Sequence, residues 1–360
     1  MENKLSVTEI LSAFGISHDP KLFGNGHINT TYLVDGSPKY ILQRINTTVF
    51  RDPDGVMENI FAVTEFLHGK ILAAGGNPDR ETLTFLRTLD GKPYFRTPQG
   101  DCYRVYRFID HALSLDSAST PEEFAESARA FGKFQRMLAD FPAEQLHETI
   151  PHFHDTPDRL RQFRETLEKD PMGRAKDVQA EIRFVLDRAG EMGTITAALA
   201  DGSVPLRVTH NDTKLNNVLL DEKTHKGLCV IDLDTVMPGS MLYDYGDSLR
   251  FGASTAAEDE PNLDLVHFDP DYFRAYTQAY LETLGDSITP REAELLPFSA
   301  RLMTLECGMR FLADHIDGDH YFRIHREGHN LDRCRTQFRL VEEMEQKAAA
   351  MADIVSDILH

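Results

Sequence analysis

The pattern of this chain changes character once, near residue 111, and that change limits the architectures open to it. Before it, short β-branched and aromatic runs alternate with turn signals. "HINTTYLVD" and "KYILQRIN" flank "GSP", while "ETLTFLRT", "PYFRT" and "DCYRVYRFID" are separated by "LDGKP" and "PQGD". Between the two groups, "VMENIFAVTEFLHGKILAAGG" carries apolar residues near helical spacing and ends on a Gly-Gly stop. After His111 the sequence turns helical. "TPEEFAESARAFGKFQRMLADF" opens on Thr120, Pro121 and two glutamates, a capped start, and sets Phe124, Ala128, Phe131, Phe134 and Leu138 close to one face. Further helices are expected around 157–169, 174–200, 271–284, 290–317 and 331–358. Only "RVTHND", "NVLLD" and "GLCVIDLD" interrupt them with strand-like runs. The expected fold class is α+β: a small β-rich lobe over residues 1–111 and a larger, mostly helical lobe over 112–360.

Composition removes several function classes. A net charge of −20 argues against a nucleic-acid binder, which needs a basic surface to displace counterions. No run approaches the roughly 20 apolar residues of a membrane helix. The N-terminal "MENKLSVTEILSAFGI" has one lysine and no long apolar core before a small-residue cleavage site, so no secretory signal is expected. Cys102, Cys229, Cys307 and Cys334 form no CxxC pair. Reduced thiols in a cytoplasmic protein are the plain expectation.

Three stretches carry chemistry. In "GNGHINTTY", Gly24 and Gly26 precede a strand, where backbone can approach a phosphate without a Cβ in the way; as residues alone they equally suit a turn. In "VTHNDTKLNNVLLD", His210, Asp212 and Asn217 fall in the pattern H-x-D-x-x-x-x-N. In phosphoryl transfer an aspartate so placed accepts the proton of the attacking hydroxyl, and the later asparagine holds a metal ion. A polar loop with turn asparagines reads the same residues without chemistry. In "CVIDLDTVMPGSMLYDYGD", Asp232 ends an apolar run, where a carboxylate can reach a magnesium ion bridging ATP phosphates or can simply close a strand. Order and distance favour the chemical readings. A strand over 218–220, a charged turn and a second strand over 228–231 separate Asn217 from Asp232, which makes a hairpin with a base at one end and metal ligands at both. "HFHDTP" lacks a third cluster at metal-hydrolase spacing, and Asp155-Thr156-Pro157 reads as a helix start rather than a metal site.

This hairpin, with "GSMLYDYGD" after it, resembles the aminoglycoside phosphotransferase and choline kinase family of the protein-kinase-like fold, and the resemblance spans the chain. Within that family, five segments are similar to the N-acetylhexosamine 1-kinase branch. They are "GNGHINTTYLV" (24–34), "HFHDTP" (152–157), "RVTHNDTKLNN" (207–217), "IDLDTVMPGSMLYDYGDSLRFGAST" (231–255) and "ECGMRFLAD" (306–314). The resemblance implies a two-lobed kinase that uses ATP and Mg2+ to phosphorylate the anomeric (C1) hydroxyl of a small sugar, N-acetylglucosamine or N-acetylgalactosamine. Asp212 would accept the hydroxyl proton, and Asn217 and Asp232 would hold magnesium. Gly24 to Thr30, with Gly26, His27 and Asn29 among them, would cover the phosphates. Phe108 and Ile109 in "RFIDH" would carry the adenine on backbone groups, and Arg310 and Tyr321 would face the sugar. No protein partner is implied.

One departure stands out. Protein kinases keep a strand lysine against the α- and β-phosphates. The matching strand here reads "YILQRIN", with Gln43 in the lysine register and Arg44 expected on the other face. Two alternatives follow. The acceptor could be an aminoglycoside, choline, homoserine or a methylthio-sugar, since such relatives share the hairpin and differ in the helical lobe. The chain could also be a nucleotide-binding module without catalysis; the missing lysine favours that, and the joint presence of Asp212, Asn217 and Asp232 argues against it. A protein kinase is disfavoured, because no activation segment ending in A-P-E follows Asp232.

Overall fold

The computed structural model describes residues 5–24 and 29–360. Along the chain run helix α1 (Val7–Ser12), strands β1 (Pro20–Leu22), β2 (Thr30–Val34) and β3 (Tyr40–Ile45), and helices α2 (Pro53–Ala73) and α3 (Pro78–Glu81). Strands β4 (Phe85–Leu86), β5 (Phe95–Arg96), β6 (Cys102–Arg107) and β7 (Ala112–Leu113) follow. Helices α4 (Pro121–Met137), α5 (Thr156–Lys169), α6 (Gln179–Asp187) and α7 (Thr194–Ala200) come next. Then come β8 (Arg207–Thr209), β9 (Val218–Asp221), β10 (Gly227–Val230), α8 (Met241–Gly252) and α9 (Pro270–Leu284). The chain closes with α10 (Pro290–Asp317), α11 (His329–Gln346) and α12 (Ala348–Leu359).

Two compact units divide these elements. The first holds Met1–Ser114, Met137–Pro151 and Asn217–Pro238; the second holds Leu115–Arg136, His152–Asn216 and Gly239–His360. The first is built on an antiparallel sheet of order β1-β2-β3-β6-β4, with β5 also on β6. Alternation along its strands sends Val34, Leu42, Tyr103 and Val105 to one face, where Ile10 and Leu11 of α1 and Phe14 cover them. On β3, Gln43 stands opposite Arg104 of β6, and Arg44 points away to pair with Asp101 at 2.5 Å. Helix α2 starts where Asp52 accepts the Gly55 N–H at 3.0 Å ahead of Pro53, and it stops before Gly75 at φ +76°. The hairpin β9–β10 belongs to the first unit because β7 adds to its edge, Ala112 opposite Asp221 and Leu113 opposite Leu220.

The second unit is helical. Its spine is α10, opened by a Thr289–Glu292 capping box and packed on α5, α8, α11 and α12. The single helix expected over 174–200 is two helices, parted by Gly190 and Gly193, where helix propensity is weakest. The one expected over 331–358 begins at His329 and breaks at Lys347, whose ammonium donates to the Phe268 carbonyl at 2.8 Å and to Glu343 at 2.7 Å. All four cysteines are free thiols.

Candidate active site

In the helical unit, β8 delivers residues 210–213 onto the first turns of α8. Asp244, 1% exposed, receives the loop: its Oδ2 accepts the His210 N–H at 2.9 Å and its Oδ1 the Asn211 N–H at 2.7 Å. Gln135 of α4 donates to Oδ2 at 2.9 Å and to the Val208 carbonyl at 2.9 Å, tying strand and carboxylate together. Thr213 is held twice, its hydroxyl donating to the Asp244 carbonyl at 2.7 Å and its N–H to Asp247 at 3.2 Å. Asp247 is in turn held by Arg250 at 2.9 Å. Burial raises the Asp244 carboxyl above its ordinary range. For Asp247 the same burial is outweighed, chiefly by Arg250, and its pKa falls. His210 is fully buried, edge-on to Phe131 and Phe134, and accepts the Asp212 N–H on Nδ1 at 3.3 Å. Asn211 takes φ +66°, a left-handed conformation that asparagine tolerates best among residues with a side chain. The product is a rigid loop with Asp212 half-buried at its head. Lys214 stands 3.2 Å from the Asp212 carboxylate; burial pulls its pKa down, but Asp212 and Asp247 more than offset this and hold the ammonium charged.

A cleft of about 200 Å3 opens in the same unit, lined among others by Arg159, Phe163, Arg310, Asp314, Tyr321 and Phe322. The Arg310 guanidinium lies 5.5 to 5.7 Å from the ring centres of Phe153, Tyr321 and Phe322 and donates weakly to the Tyr321 hydroxyl at 3.4 Å. Among the described residues no carboxylate lies within ion-pair distance of it. Asp314 is spoken for: it accepts the N–H groups of His320, Tyr321 and Phe322 at 2.8 to 2.9 Å and the Asn330 amide at 2.8 Å, which fixes the loop carrying Tyr321. One helical turn before Arg310, buried Glu306 accepts from His154 at 2.8 Å and from the Thr156 hydroxyl at 2.6 Å. The other nitrogen of His154 faces the Asn211 carbonyl at 3.5 Å, so helix α10 supports both the cleft wall and the loop of Asp212. Asp155 caps α5 through the Asp158 N–H at 3.1 Å, the helix start that "HFHDTP" suggests.

In the sheet unit, the Ile231 N–H donates to the Asn217 carbonyl at 2.9 Å and sets the two ends of the hairpin side by side. Asp232 follows in a left-handed conformation, φ 58° and ψ 60°, and is exposed, while Asn217 is 7% exposed. Asp234 turns inward instead, forming a buried ion pair with Arg104 and accepting from the Asn29 amide at 2.6 Å. Gln43 directs its carbonyl oxygen to Arg104, at 3.1 Å from Nε and 2.8 Å from Nη2. Gly24 has φ +73° with open space where a Cβ would stand, and Thr30 begins β2 on the exposed side; Gly26 and His27 lie outside the described residues. The Phe108 N–H is engaged with the Lys39 carbonyl at 3.1 Å, its ring meets Phe23 edge-on, and the Ile109 side chain is buried. The structure thus brings Asn29 and Gln43 onto one buried Arg104–Asp234 pair, sets Asn217 and Asp232 at the hairpin end just before Asp234, and places Asp212, Arg310 and Tyr321 in the helical unit. Sequence reasoning gave no role to Lys214, Asp244, Asp247 or Arg104; the available signal for Asp244 and Asp247 was the "YDYGD" spacing, two acids three residues apart in a segment where no helix was expected and where the chain forms α8.

A profile of the phosphotransferase enzyme family matches residues 19–284. The chain belongs to that family. Among solved structures, this phosphotransferase is similar to an aminoglycoside phosphotransferase from Alicyclobacillus acidocaldarius, at 14% identity and a TM-score of 0.65 over 99% of this chain and 98% of the other. It is similar to a microcompartment-associated aminopropanol kinase, at 14% identity and a TM-score of 0.58 over 96% and 97%. A spectinomycin phosphotransferase in complex with ADP and spectinomycin gives 14% identity and a TM-score of 0.57 over 98% and 97%. These likenesses confirm the expected fold class, an antiparallel sheet lobe with a helical lobe. The donors at the hairpin end, a carboxylate and an amide, are hard oxygens. They suit magnesium, which takes one or two carboxylates and completes its shell with water and substrate phosphates.

Proposed function

We propose that this phosphotransferase is a kinase that uses magnesium and ATP to phosphorylate the anomeric hydroxyl of an N-acetylhexosamine. The C1 oxygen attacks the γ-phosphorus, the bond from that phosphorus to the β,γ-bridging oxygen breaks, ADP leaves, and the hydroxyl proton passes to Asp212. An anomeric hydroxyl is more acidic than an ordinary alcohol, so a carboxylate held in place suffices as base. The seating of residues 210–213 on Asp244 and Asp247 supplies that placement, and Lys214 adds positive charge beside the base, where the transferring phosphoryl carries negative charge. Asn217 and Asp232 would hold magnesium, which when bound neutralises charge on the phosphates. Gly24 to Thr30 would cover those phosphates, and the backbone of residues 107–111, less the engaged Phe108 N–H, would take the adenine.

The observation that carries the choice of acceptor is Arg310. Its guanidinium has no carboxylate partner among the described residues and stands among three aromatic rings in the cleft. A cationic acceptor such as an amino alcohol or an aminoglycoside would meet like charge there, whereas the carbonyl and hydroxyl oxygens of an N-acetylhexosamine are acceptors for Arg310 and Tyr321. About 200 Å3 also falls below the size of a drug-sized ligand site, which argues against a multi-ring acceptor such as an aminoglycoside. The test is turnover of magnesium–ATP against N-acetylhexosamines, aminopropanol, choline, homoserine and an aminoglycoside, with Asp212→Asn as control. Sugar 1-phosphate from the native protein, falling at least a thousandfold in the control while ATP still binds, is the expected result. Turnover of a cationic acceptor alone would replace the sugar reading, and ATP binding without turnover of any acceptor would overturn the kinase.

A further inference from the structure

The strand lysine is missing, yet the sheet still carries a buried cation at that place. Gln43 and Arg104 are directly opposed across the antiparallel pair β3–β6, so their side chains share a face. The Gln43 carbonyl oxygen accepts both Nε and Nη2 of Arg104, and its amide nitrogen donates to Thr31 at 3.2 Å. Glutamine is therefore the complement of the neighbouring guanidinium, since a lysine there would set ammonium against guanidinium. Arg104 turns its remaining arm to Asp234, and Asp234 holds Asn29, whose carbonyl oxygen accepts the Asn46 N–H at 2.9 Å. The carboxylates of α2 are occupied elsewhere, Asp54 accepting the Tyr94 hydroxyl at 2.6 Å, Glu58 with His147 at 2.7 Å and Glu65 with Arg87 at 3.2 Å. Arg104 is 2% exposed, its guanidinium engaged inside the sheet unit by Gln43 and Asp234.

We infer that Arg104 is a positioning residue that takes over the structural half of the missing lysine's work: through Asp234 it fixes the exposed Asp232 on one side and Asn29 of the glycine segment on the other. The turn supports this. Asp232 is bracketed by the Ile231–Asn217 hydrogen bond before it and by the Asp234–Arg104 pair after it, and the turn is anchored further on by the Asn59 amide on the Val236 carbonyl at 2.9 Å. Loss of Arg104 leaves the buried Asp234, among the described residues, with Asn29 as its remaining side-chain partner, and the strained left-handed conformation at Asp232 then has less to hold it.

The inference rests on the reading of Asp232 as a metal ligand, and its test separates the two. Affinity for a fluorescent ATP analogue is measured with magnesium and with EDTA in the native protein, Arg104→Met, Gln43→Lys and the double variant, each first checked for folding by circular dichroism. In the native protein magnesium should tighten binding at least tenfold. Arg104→Met should bring that ratio close to one, and Gln43→Lys alone should weaken magnesium–nucleotide binding at least fivefold by setting two cations together. The double variant should recover most of the ratio, because the lysine introduced on β3 can then pair with Asp234. A ratio unchanged in Arg104→Met, or a double variant no better than it, would overturn the inference and leave the metal reading standing. If Arg104→Met does not fold, Gln43→Lys decides alone: native magnesium dependence in that variant refutes the role of Arg104. A native protein whose nucleotide binding ignores magnesium would remove the metal reading itself, and the inference with it.

Discussion

Asp244→Asn isolates the seat of the loop that carries the proposed base, Asp212, with almost no change of shape. Asp244 accepts three hydrogen bonds, one on Oδ1 from Asn211 and two on Oδ2 from His210 and Gln135. Asparagine has one carbonyl oxygen, so it keeps the pair on Oδ2 and turns its NH2 toward the Asn211 N–H. That loses a charge-assisted bond, worth about 1.5–3 kcal/mol, and leaves a buried N–H against another donor, a further cost of about 1–3 kcal/mol. Relief of a buried charge, visible in the raised carboxyl pKa, offsets part of this. The net expectation is about 2–3 kcal/mol of destabilisation and a thermal midpoint lower by roughly 5 °C for a chain of this size. The lost bond sits on the residue before Asp212, in a left-handed conformation that relaxes once unsupported. Displacing the proposed base Asp212 by less than 1 Å should cost about tenfold to a hundredfold in kcat, with nucleotide affinity changed less than twofold. Calorimetry and steady-state kinetics on the purified variant measure both. A midpoint within 1 °C of native together with an unchanged kcat would refute the claim that Asp244 places the base.

Two further outcomes follow from packing and charge. A Cβ on Gly246 would stand 2.4 Å from the Ser299 carbonyl oxygen and 2.6 Å from Met303 Cγ, where α8 lies against the backbone of α10; Gly246→Ala should therefore cost about 2–3 kcal/mol in urea denaturation and lower kcat with it, since α8 carries Asp244 and Asp247. Native-like stability in that variant would show that the two helices part freely. Burial pushes the Glu343 carboxyl up, but bonds from Lys347, His267 and the Phe268 N–H outweigh it and bring its pKa from 4.5 down to about 2. Because the folded pKa is the depressed one, the stabilisation is complete above about pH 4.5 and is lost as pH falls toward 2. Glu343→Gln should lower stability at pH 7 by about 2 kcal/mol and flatten the loss between pH 4.5 and 3, and an acid limb identical to native would exclude Glu343 as its source.

Local spacing made much of this protein legible before any coordinates. The β-to-helical switch, the helix starts at Thr120 and Asp155, and the hairpin between Asn217 and Asp232 are set by neighbours within a few residues, and such patterns survive in a one-dimensional reading. The breaks at Gly190–Gly193 and at Lys347 show the limit of periodicity: apolar spacing continued where a glycine pair, or a tertiary contact to Phe268, ended the helix. Partner choice for buried charge was not legible at all. Arg104 finds Gln43 from 61 positions away because strand register places them opposite each other, and Asp244 receives the N–H groups of a loop more than 30 residues earlier because α8 packs there. The order of residues alone was enough to single out Asp212, Asn217 and Asp232 as candidates, since the loop and hairpin that carry them are local in the chain. That Arg104 stands beside Gln43, and that Asp244 seats the loop carrying Asp212, depended on the folded chain, since a buried charge takes whatever partner the packing of distant segments brings within hydrogen-bond reach.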